Sequence, residues 1–217
     1  MTTVLARHSR ENASTQLHHG LTVLGLTLST WQFNQLLEFL ALIGKWNRVY
    51  SLTALRDEWA GVSIHLLDSL AIAPYISGGR ILDVGSGAGF PGIPLAIAKP
   101  ESQFVLLDSN GKKAAFLRQA VGELSLGNVS VVCERAESWQ SECKFDCIVS
   151  RAFARLADFV ELTEHLLAPS GVLGAMKGAY PRDEIESLPR GFRVRETHRI
   201  AVPDLAAERH LVLMERA

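Results

Sequence analysis

Two carboxylates and four glycines carry the strongest chemical signal in the chain. Asp83 leads at once into a turn in which Gly85, Gly87, Gly89 and Gly92 fall within "ILDVGSGAGFPGIPLAI" (residues 81–97), and Asp108 closes the next apolar run, "FVLLD". A strand-to-helix turn with one or two positive φ angles accounts for two such glycines more readily than four, since each costs conformational entropy on folding. A backbone that makes room for a closely approaching ligand accounts for all of them. Three ligands compete. A triphosphate loop needs Lys-Ser/Thr after its last glycine, and Ile93 stands there instead. The dinucleotide pattern GxGxxG is satisfied by Gly87, Gly89 and Gly92, with Asp108 at about the spacing of a ribose-binding acid, but alone it is a weak signal. An S-adenosylmethionine loop needs an acid closing the first strand, a GxGxG turn and an acid closing the second strand. Asp83, the run Gly85-Ser86-Gly87-Ala88-Gly89 and Asp108 supply all three. Asp83 then interacts with a cationic ammonium or sulfonium end, and Asp108 accepts from the ribose hydroxyls. The competing local role for Asp108 is a helix N-cap. Ala136 and Glu137 follow the third strand, where an adenine edge would lie, and a small Ala136 admits a flat base. Phe90 either covers an apolar part of the ligand or packs in the core.

A sulfonium methyl is already activated, so the protein's main task is to align an acceptor with it. After the fourth strand the chain reads "SRAFARL" (residues 150–156). It has neither the Asn/Asp-Pro-Pro-aromatic turn that serves exocyclic amines of bases nor the cysteine nucleophile that serves C5 of pyrimidines. Such a site suits an acceptor with a free lone pair, such as guanine N7, which in folded RNA is reached by unstacking the base. Arg151 and Arg155 are suited to hold a phosphate, a base face or O6, or else pair with acids such as Glu137. His65 and Asp68, three apart on one helix face, border the methyl-donor pocket or form a buried pair; two ligands do not make a metal site.

The elements that position these residues follow from periodicity. The polar first dozen residues predict disorder, with order beginning near Leu21. "TWQFNQLLEFLALIG" (residues 30–44) repeats Trp31, Leu36, Leu37, Leu40 and Ile43 at helical spacing, with Ser29 or Thr30 as N-cap and Gly44 as C-cap. A second helix is expected over about residues 57–75, ended by Pro74 and Gly78-Gly79. From Arg80, strands alternate with helical patterns: strands 80–84, 103–108, 129–133, 145–150 and 172–177, with helices after Pro91 and over 112–124 and 155–167. That alternation predicts a parallel sheet covered on both faces. "FRVRETHRIAV" and "ERHLVLMER" read as an antiparallel pair closing one edge. The expected architecture is α/β, a Rossmann-like, mostly parallel sheet with an antiparallel edge pair. Residues 1–78 form an N-terminal segment and helical extension, and residues 79–217 a methyltransferase core.

Composition narrows the partners. A net charge of −1 leaves any polyanion to local basic patches, here "GKKAAFLR" (residues 111–118) and the group Arg190, Arg193, Arg195 and Arg199. Cys133, Cys143 and Cys147 lack CxxC spacing and read as spectator thiols. Neither a membrane span nor the hydrophobic core of a signal peptide is evident, so a cytoplasmic protein is expected.

Longer stretches resemble one family, the bacterial 16S rRNA guanine-N7 methyltransferases known as RsmG or GidB. They are "KWNRVYSLTALRD" (45–57), "HLLDSLAIAPY" (65–75), the glycine loop, "LLDSNGKKAAFLRQ", "IVSRAF" (148–153), "MKG" (176–178) and "ERHLVLM" (208–214). The resemblance covers nearly the whole chain from about Leu21. It implies a class I methyltransferase fold and methyl transfer from S-adenosylmethionine to N7 of one guanine in the decoding-region loop of 16S rRNA. The expected partner is 16S rRNA or the small ribosomal subunit, with no membrane and no stable protein partner, and the expected state is a monomer. Cofactor contacts implied by the family fall on Gly85, Phe90, Ala136-Glu137 and Arg151. Arg135, Arg209 and His210 resemble family positions near the cleft, which gives Arg135, Arg151, His65 and Arg209 substrate-positioning roles beside the Asp83, Gly87 and Asp108 of the loop motif. Lys45, Arg48 and Arg56 would add phosphate contacts beside Trp46 and Tyr50. Ser51 stands where many members have Asn. Two alternatives stay open at this stage: an S-adenosylmethionine enzyme with another acceptor, and a noncatalytic RNA-binding or ribosome-assembly protein.

Overall fold

The computed structural model of the protein describes residues 2–50 and 61–217. Seven strands form one sheet in the order β3-β2-β1-β4-β5-β7-β6. They are β1 Arg80–Val84, β2 Gln103–Leu107, β3 Val129–Val132, β4 Phe145–Arg151, β5 Leu167–Lys177, β6 Phe192–Arg199 and β7 His210–Arg216. The first five run parallel, and β7 pairs antiparallel with both β5 and β6. Chain order therefore reverses between β1 and β4. Open α/β sheets place ligands in the crevice beyond the strand ends at such a point. The glycine loop leaves the end of β1 there, and Arg151 ends β4.

Side chains alternate across β1, so Ile81 faces one apolar layer while Leu82 and Val84 face the other. On the first face lie α1 Thr2–Val23, α2 Thr30–Tyr50, α4 Gly92–Ala98 and α5 Gly111–Glu123. Leu17, Leu36 and Phe39 join Phe104, Leu106 and Phe116 in one continuous cluster there. On the other face α6 Leu156–Thr163 packs Phe159 and Val160 against Phe145, Ile148 and Val212. A short α7, Arg182–Glu186, lies between β5 and β6.

The N-terminus departs from the expectation of disorder. Within α1, Ala13, Leu17 and Leu21 recur every four residues and are buried. Gly20 lets the helix approach so closely that a Cβ there would lie 2.2 Å from Leu67 Cδ1. The polar first dozen residues hide this stripe, whose first member, Ala13, follows them. Ser29, not Thr30, caps α2: its hydroxyl accepts the Gln32 amide, and the Gln32 side chain accepts the Ser29 amide in return. Gly44 does not end α2, which runs on to Tyr50, and Trp46 in the added turn packs edge-on against Phe116. Trp31, counted with the apolar repeat, is half exposed.

The expected second helix is broken into pieces. A π-helical turn, Val62–Leu67, continues into α3 Asp68–Leu70 and a separate 3-10 turn Ala73–Tyr75 that contains Pro74. Residues 57–60 lie outside the described part. Among the described residues no helix is long and apolar enough to cross a membrane.

Candidate functional site

All four glycines of the loop have a local reason to be glycine. Gly85, Gly87 and Gly89 take φ of 69°, 58° and 90°, a region that L side chains rarely enter. Gly92 has ordinary backbone, but a Cβ there would lie 2.3 Å from Leu106 Cδ2 and 2.6 Å from Asp83 Oδ2. The loop's own turn and packing thus require each glycine, and their number is not by itself evidence of a ligand. Its attachment is backbone-led: the amides of Gly85 and Ser86 both donate to the Leu107 carbonyl, at 2.8 and 3.1 Å.

Asp108, at the end of β2, accepts the Gly87 amide on Oδ2 and the Asn110 amide on Oδ1, each at 2.8 Å. It is not the helix cap. Asn110 caps α5 by accepting the Lys112 and Lys113 amides. A carboxylate has about four acceptor positions, so a buried Asp108 held by two amides keeps capacity for hydroxyls. Asp83 lies deeper. It is fully buried and lines neither cavity described below; Oδ2 accepts the Gly92 amide at 3.0 Å, and Oδ1 has no partner among the described residues. Desolvation pushes its carboxyl up to about 7, opposed by the Gly92 amide, Ser86 and the positive charge of Arg151, while the charge of Asp108 adds to the rise. Any action of Asp83 on a cationic ligand is therefore electrostatic and through the loop, not a contact presented in the cleft.

Two cavities lie side by side over the strand ends and share Ala152, whose φ of 55° is unusual for a residue other than glycine. The larger, about 430 Å³, is lined by Val84, Gly85, Asp108, Lys113, Ala136, Glu137 and Phe153. A Cβ on Gly85 would meet the Phe153 ring at 2.6 Å, so this glycine also lets an aromatic wall close on the loop. Arg135 stands on the rim of this cavity, about three-quarters exposed and 3.6 Å from Glu137 Oε1. Buried Ala136, the acid at the end of β2 and the close approach of the loop backbone fit an adenosine.

The smaller cavity, about 330 Å³, is bounded by Ile64, His65 and Asp68, by Arg151 and Met176-Lys177-Gly178 at the ends of β4 and β5, and by Arg209 just before β7. Asp68 is buried and unites three distant segments. Its Oδ2 accepts Arg151 Nη1 at 3.1 Å and its Oδ1 accepts Arg209 Nε at 2.9 Å. It thus pairs with two arginines rather than with His65. Arg151 also donates to the Ile64 carbonyl, and its guanidinium lies over the Phe90 ring, 5.0 Å from the centroid. His65 stacks on the same ring at 4.5 Å and 25°. Phe90 is almost wholly buried and also packs on Phe39, so it joins the core to the cavity wall. Desolvation, and then the charge of Arg151, lower the His65 imidazole to about 4, which leaves it neutral at physiological pH. Its Nε2 is buried and unpartnered among the described residues.

Sequence reasoning pointed to His65, Phe90, Arg151 and Arg209, and the fold brings them together; Arg135 lies apart, beside the other cavity. Arg155 is exposed and lines neither. His210 is turned to the Gly178 carbonyl, 2.8 Å from Nδ1. Lys177 was not singled out: it donates at 2.8 Å to the Ala154 carbonyl and to Glu184 Oε2, which also accepts the Leu156 amide. These bonds fasten the 152–156 loop between the cavities, and the "MKG" stretch was the one signal for it. Arg193 and Arg195 lie on edge strand β6 with Glu215 within 4.0 Å of each, which blunts that basic patch. Arg56 and Ser51 lie outside the described residues, as do the side chains of Arg48 and Tyr50.

Comparison with known proteins identifies the family and the fold. Residues 32–212 match the family model GidB, rRNA small subunit methyltransferase G. A ribosomal RNA small subunit methyltransferase G of Laribacter hongkongensis (strain HLHK9) is 55% identical over 201 residues, 93% of this chain and 97% of the relative. One of the same description from Chromobacterium violaceum is 56% identical over 200 residues, covering 92% and 96%. Among solved structures, M. jannaschii TYW2 in complex with AdoMet superposes with a TM-score of 0.53 at 17% identity, covering 69% of this chain and 75% of that one, and so shares the fold. With a family model spanning most of its length and relatives above half identity, the chain belongs to the rRNA small subunit methyltransferase G family.

Proposed function

We propose that the protein methylates N7 of one guanine in the decoding-region loop of 16S rRNA, with the cofactor in the larger cavity and the base entering the smaller. S-adenosylmethionine supplies a methyl group already activated on sulfur. Asp108 takes the ribose hydroxyls, Ala136 and Glu137 border the adenine, and Gly85 and Gly87 give the loop backbone its close approach. Asp83 contributes charge from beneath the loop. Arg151, on the wall of the smaller cavity next to the shared Ala152, and Phe90, over whose ring its guanidinium lies, serve both ligands.

The observation that carries the acceptor assignment is the smaller cavity's pair of guanidinium groups, held on one buried carboxylate beside a neutral histidine. Guanidinium donors match the O6 of guanine and leave the neighbouring N7 lone pair free to face the methyl group. A guanine N7 brings its own lone pair, so no residue has to remove a proton. His65 and Arg209 then position the base, and exposed Arg135 meets RNA at the cofactor rim. Residues 1–78 act as the helical segment that supplies the π turn, and residues 79–217 as the cofactor-binding core. The protein works as a cytoplasmic monomer on small ribosomal subunits or their RNA, without a stable protein partner.

The test is methyl transfer from labelled S-adenosylmethionine to small subunits and naked RNA from cells lacking this protein, followed by borohydride and aniline cleavage at 7-methylguanine. A labelled RNA cut at one guanine of the decoding-region loop is expected. Label without cleavage would retain the methyltransferase and remove N7. Arg151→Ala should abolish most of the transfer while the melting curve stays cooperative; full activity would take Arg151 out of the site.

A further inference from the structure

Asp68 lines the smaller cavity and not the larger, and both arginines of the smaller cavity end on it. Its side chain is only 2% exposed, against 20% for Arg151 and 24% for Arg209. A carboxylate is kept that deep in a protein when its partners neutralise it and complete its hydrogen bonds. The partners come from opposite sides of the antiparallel edge: Arg151 from the end of β4, and Arg209 from the residue before β7, two strands away in the sheet. Without the anion between them the two cations would repel, and nothing would hold one guanidinium at a set distance from the other.

We infer that Asp68 is a positioning residue for methyl transfer: it holds Arg151 and Arg209 as one two-guanidinium clamp on the acceptor base. The inference rests on the smaller cavity being the acceptor site. Its support is threefold. First, each carboxylate oxygen is committed to a different arginine. Second, Arg151 has further restraints that fix its plane, the Ile64 carbonyl at 3.2 Å and the Phe90 ring, so the clamp is rigid on one side. Third, Arg209 Nη1 donates to the Glu208 carbonyl at 2.8 Å, which restrains the other side. The position of Asp68 is in turn set from outside the sheet. The π turn that precedes it is packed by α1 through Gly20 and Leu67, and the Gln16 side chain donates to Ser63 Oγ at 3.1 Å.

Asparagine at this position keeps one acceptor but turns a second donor toward a guanidinium, so one arginine must leave. A displacement of the order of 1 Å at an aligned site can cost about 100-fold in rate. In the full-length protein, Asp68→Asn should therefore lower kcat on small subunits by about tenfold or more, with KM for the subunit changed by less than roughly threefold. The cycle of Asp68→Asn with Arg209→Gln should be non-additive, the double variant losing much less than the product of the two single losses, because both break the same unit. Multiplying losses would mean that Asp68 meets the base by itself, and would overturn the clamp, as would an unchanged kcat. Should Asp68→Asn fail to fold, Arg151→Ala combined with Arg209→Gln asks the same question without touching the aspartate, and independent losses overturn the proposal. The outcomes also separate the two levels of inference. If neither arginine variant lowers methylation, the acceptor assignment of the cavity fails; if both do and Asp68→Asn does not, only the clamp fails.

Discussion

Replacing Asp83 by asparagine removes a charge and changes almost no volume, at a place where the charge has an unusual cost. The side chain is wholly buried, with one oxygen on the Gly92 amide and the other unpartnered among the described residues. Burial raises its carboxyl from 3.8 to about 7. A carboxyl raised on folding binds its proton more tightly in the native state, so its contribution to stability is complete below about pH 4 and falls as the pH climbs. The loss accumulates while the unfolded chain is ionised and the folded one is not, and it levels off once the pH passes about 7. At about 1.4 kcal/mol per pH unit, the interval from 3.8 to about 7 is worth about 4 kcal/mol. Asparagine undergoes no such loss. The stability of Asp83→Asn relative to wild type should therefore rise with pH by about 4 kcal/mol between pH 4 and 7 and then hold steady. Urea denaturation at half-unit steps from pH 3.5 to 8.5 measures it. A difference independent of pH would refute the raised carboxyl and the burial that explains it. The same variant examines function, because the ionised form alone attracts a sulfonium or ammonium group. Calorimetric affinity for S-adenosylmethionine should match wild type near pH 6 and fall below it near pH 8.

Two further substitutions address the elements around the site. Leu17→Ala deletes a fully buried side chain of α1 and should cost about 2–5 kcal/mol; hydrogen exchange across residues 10–23, slow in the wild type, should quicken, and fast exchange already in the wild type would contradict an ordered α1. Gly92→Ala places a methyl 2.3 Å from Leu106 Cδ2 and 2.6 Å from Asp83 Oδ2, an overpacking worth about 1–3 kcal/mol. Its melting temperature should drop together with cofactor affinity, and an unchanged pair of values would show that the loop tolerates a Cβ there.

The sheet was legible because its signals are local. Short apolar runs ending in Asp83 and Asp108, separated by helical patterns, indicate a parallel sheet covered on both faces, though not the order of its strands. The antiparallel edge could be read from two β-rich runs around Pro203. What could not be read were features created by packing. Gly44 resembles a helix end, but Trp46 finds Phe116 and the helix continues. Ala13, Leu17 and Leu21 make a stripe too sparse to outweigh the polar residues before them, and it acquires meaning only against Leu67 and its neighbours. The π turn at residues 62–67 has no sequence signature, although it sets the direction of His65 and Asp68. The site followed the same division. Gly85, Asp108 and the Ala136-Glu137 pair stand in chain-local motifs, whereas the partners of Asp68 lie 83 and 141 residues away, a separation no spacing rule reaches.

The ionisable groups facing the smaller cavity favour an acceptor that arrives with its own lone pair. A general base works best with a pKa near the working pH. His65, lowered to about 4 by burial and by Arg151, is neutral but too weakly basic to take a proton efficiently. Asp68 has both oxygens on guanidinium groups, and Lys177 is bound to Ala154 and Glu184. The same pairing that disarms these groups as bases makes them good at direction, since each is held by at least two contacts from different segments. An exocyclic amine would need charge relief that this wall does not offer; a ring nitrogen with a lone pair in the plane of the base needs alignment alone. The short path between the cavities at Ala152, fastened on one side by Lys177 and on the other by the Arg151–Asp68 pair, provides that alignment. On the proposed assignment of the two cavities, catalysis consists of holding two ligands at a fixed angle, and His65 and Asp68 from the helical segment set that angle together with the strand ends.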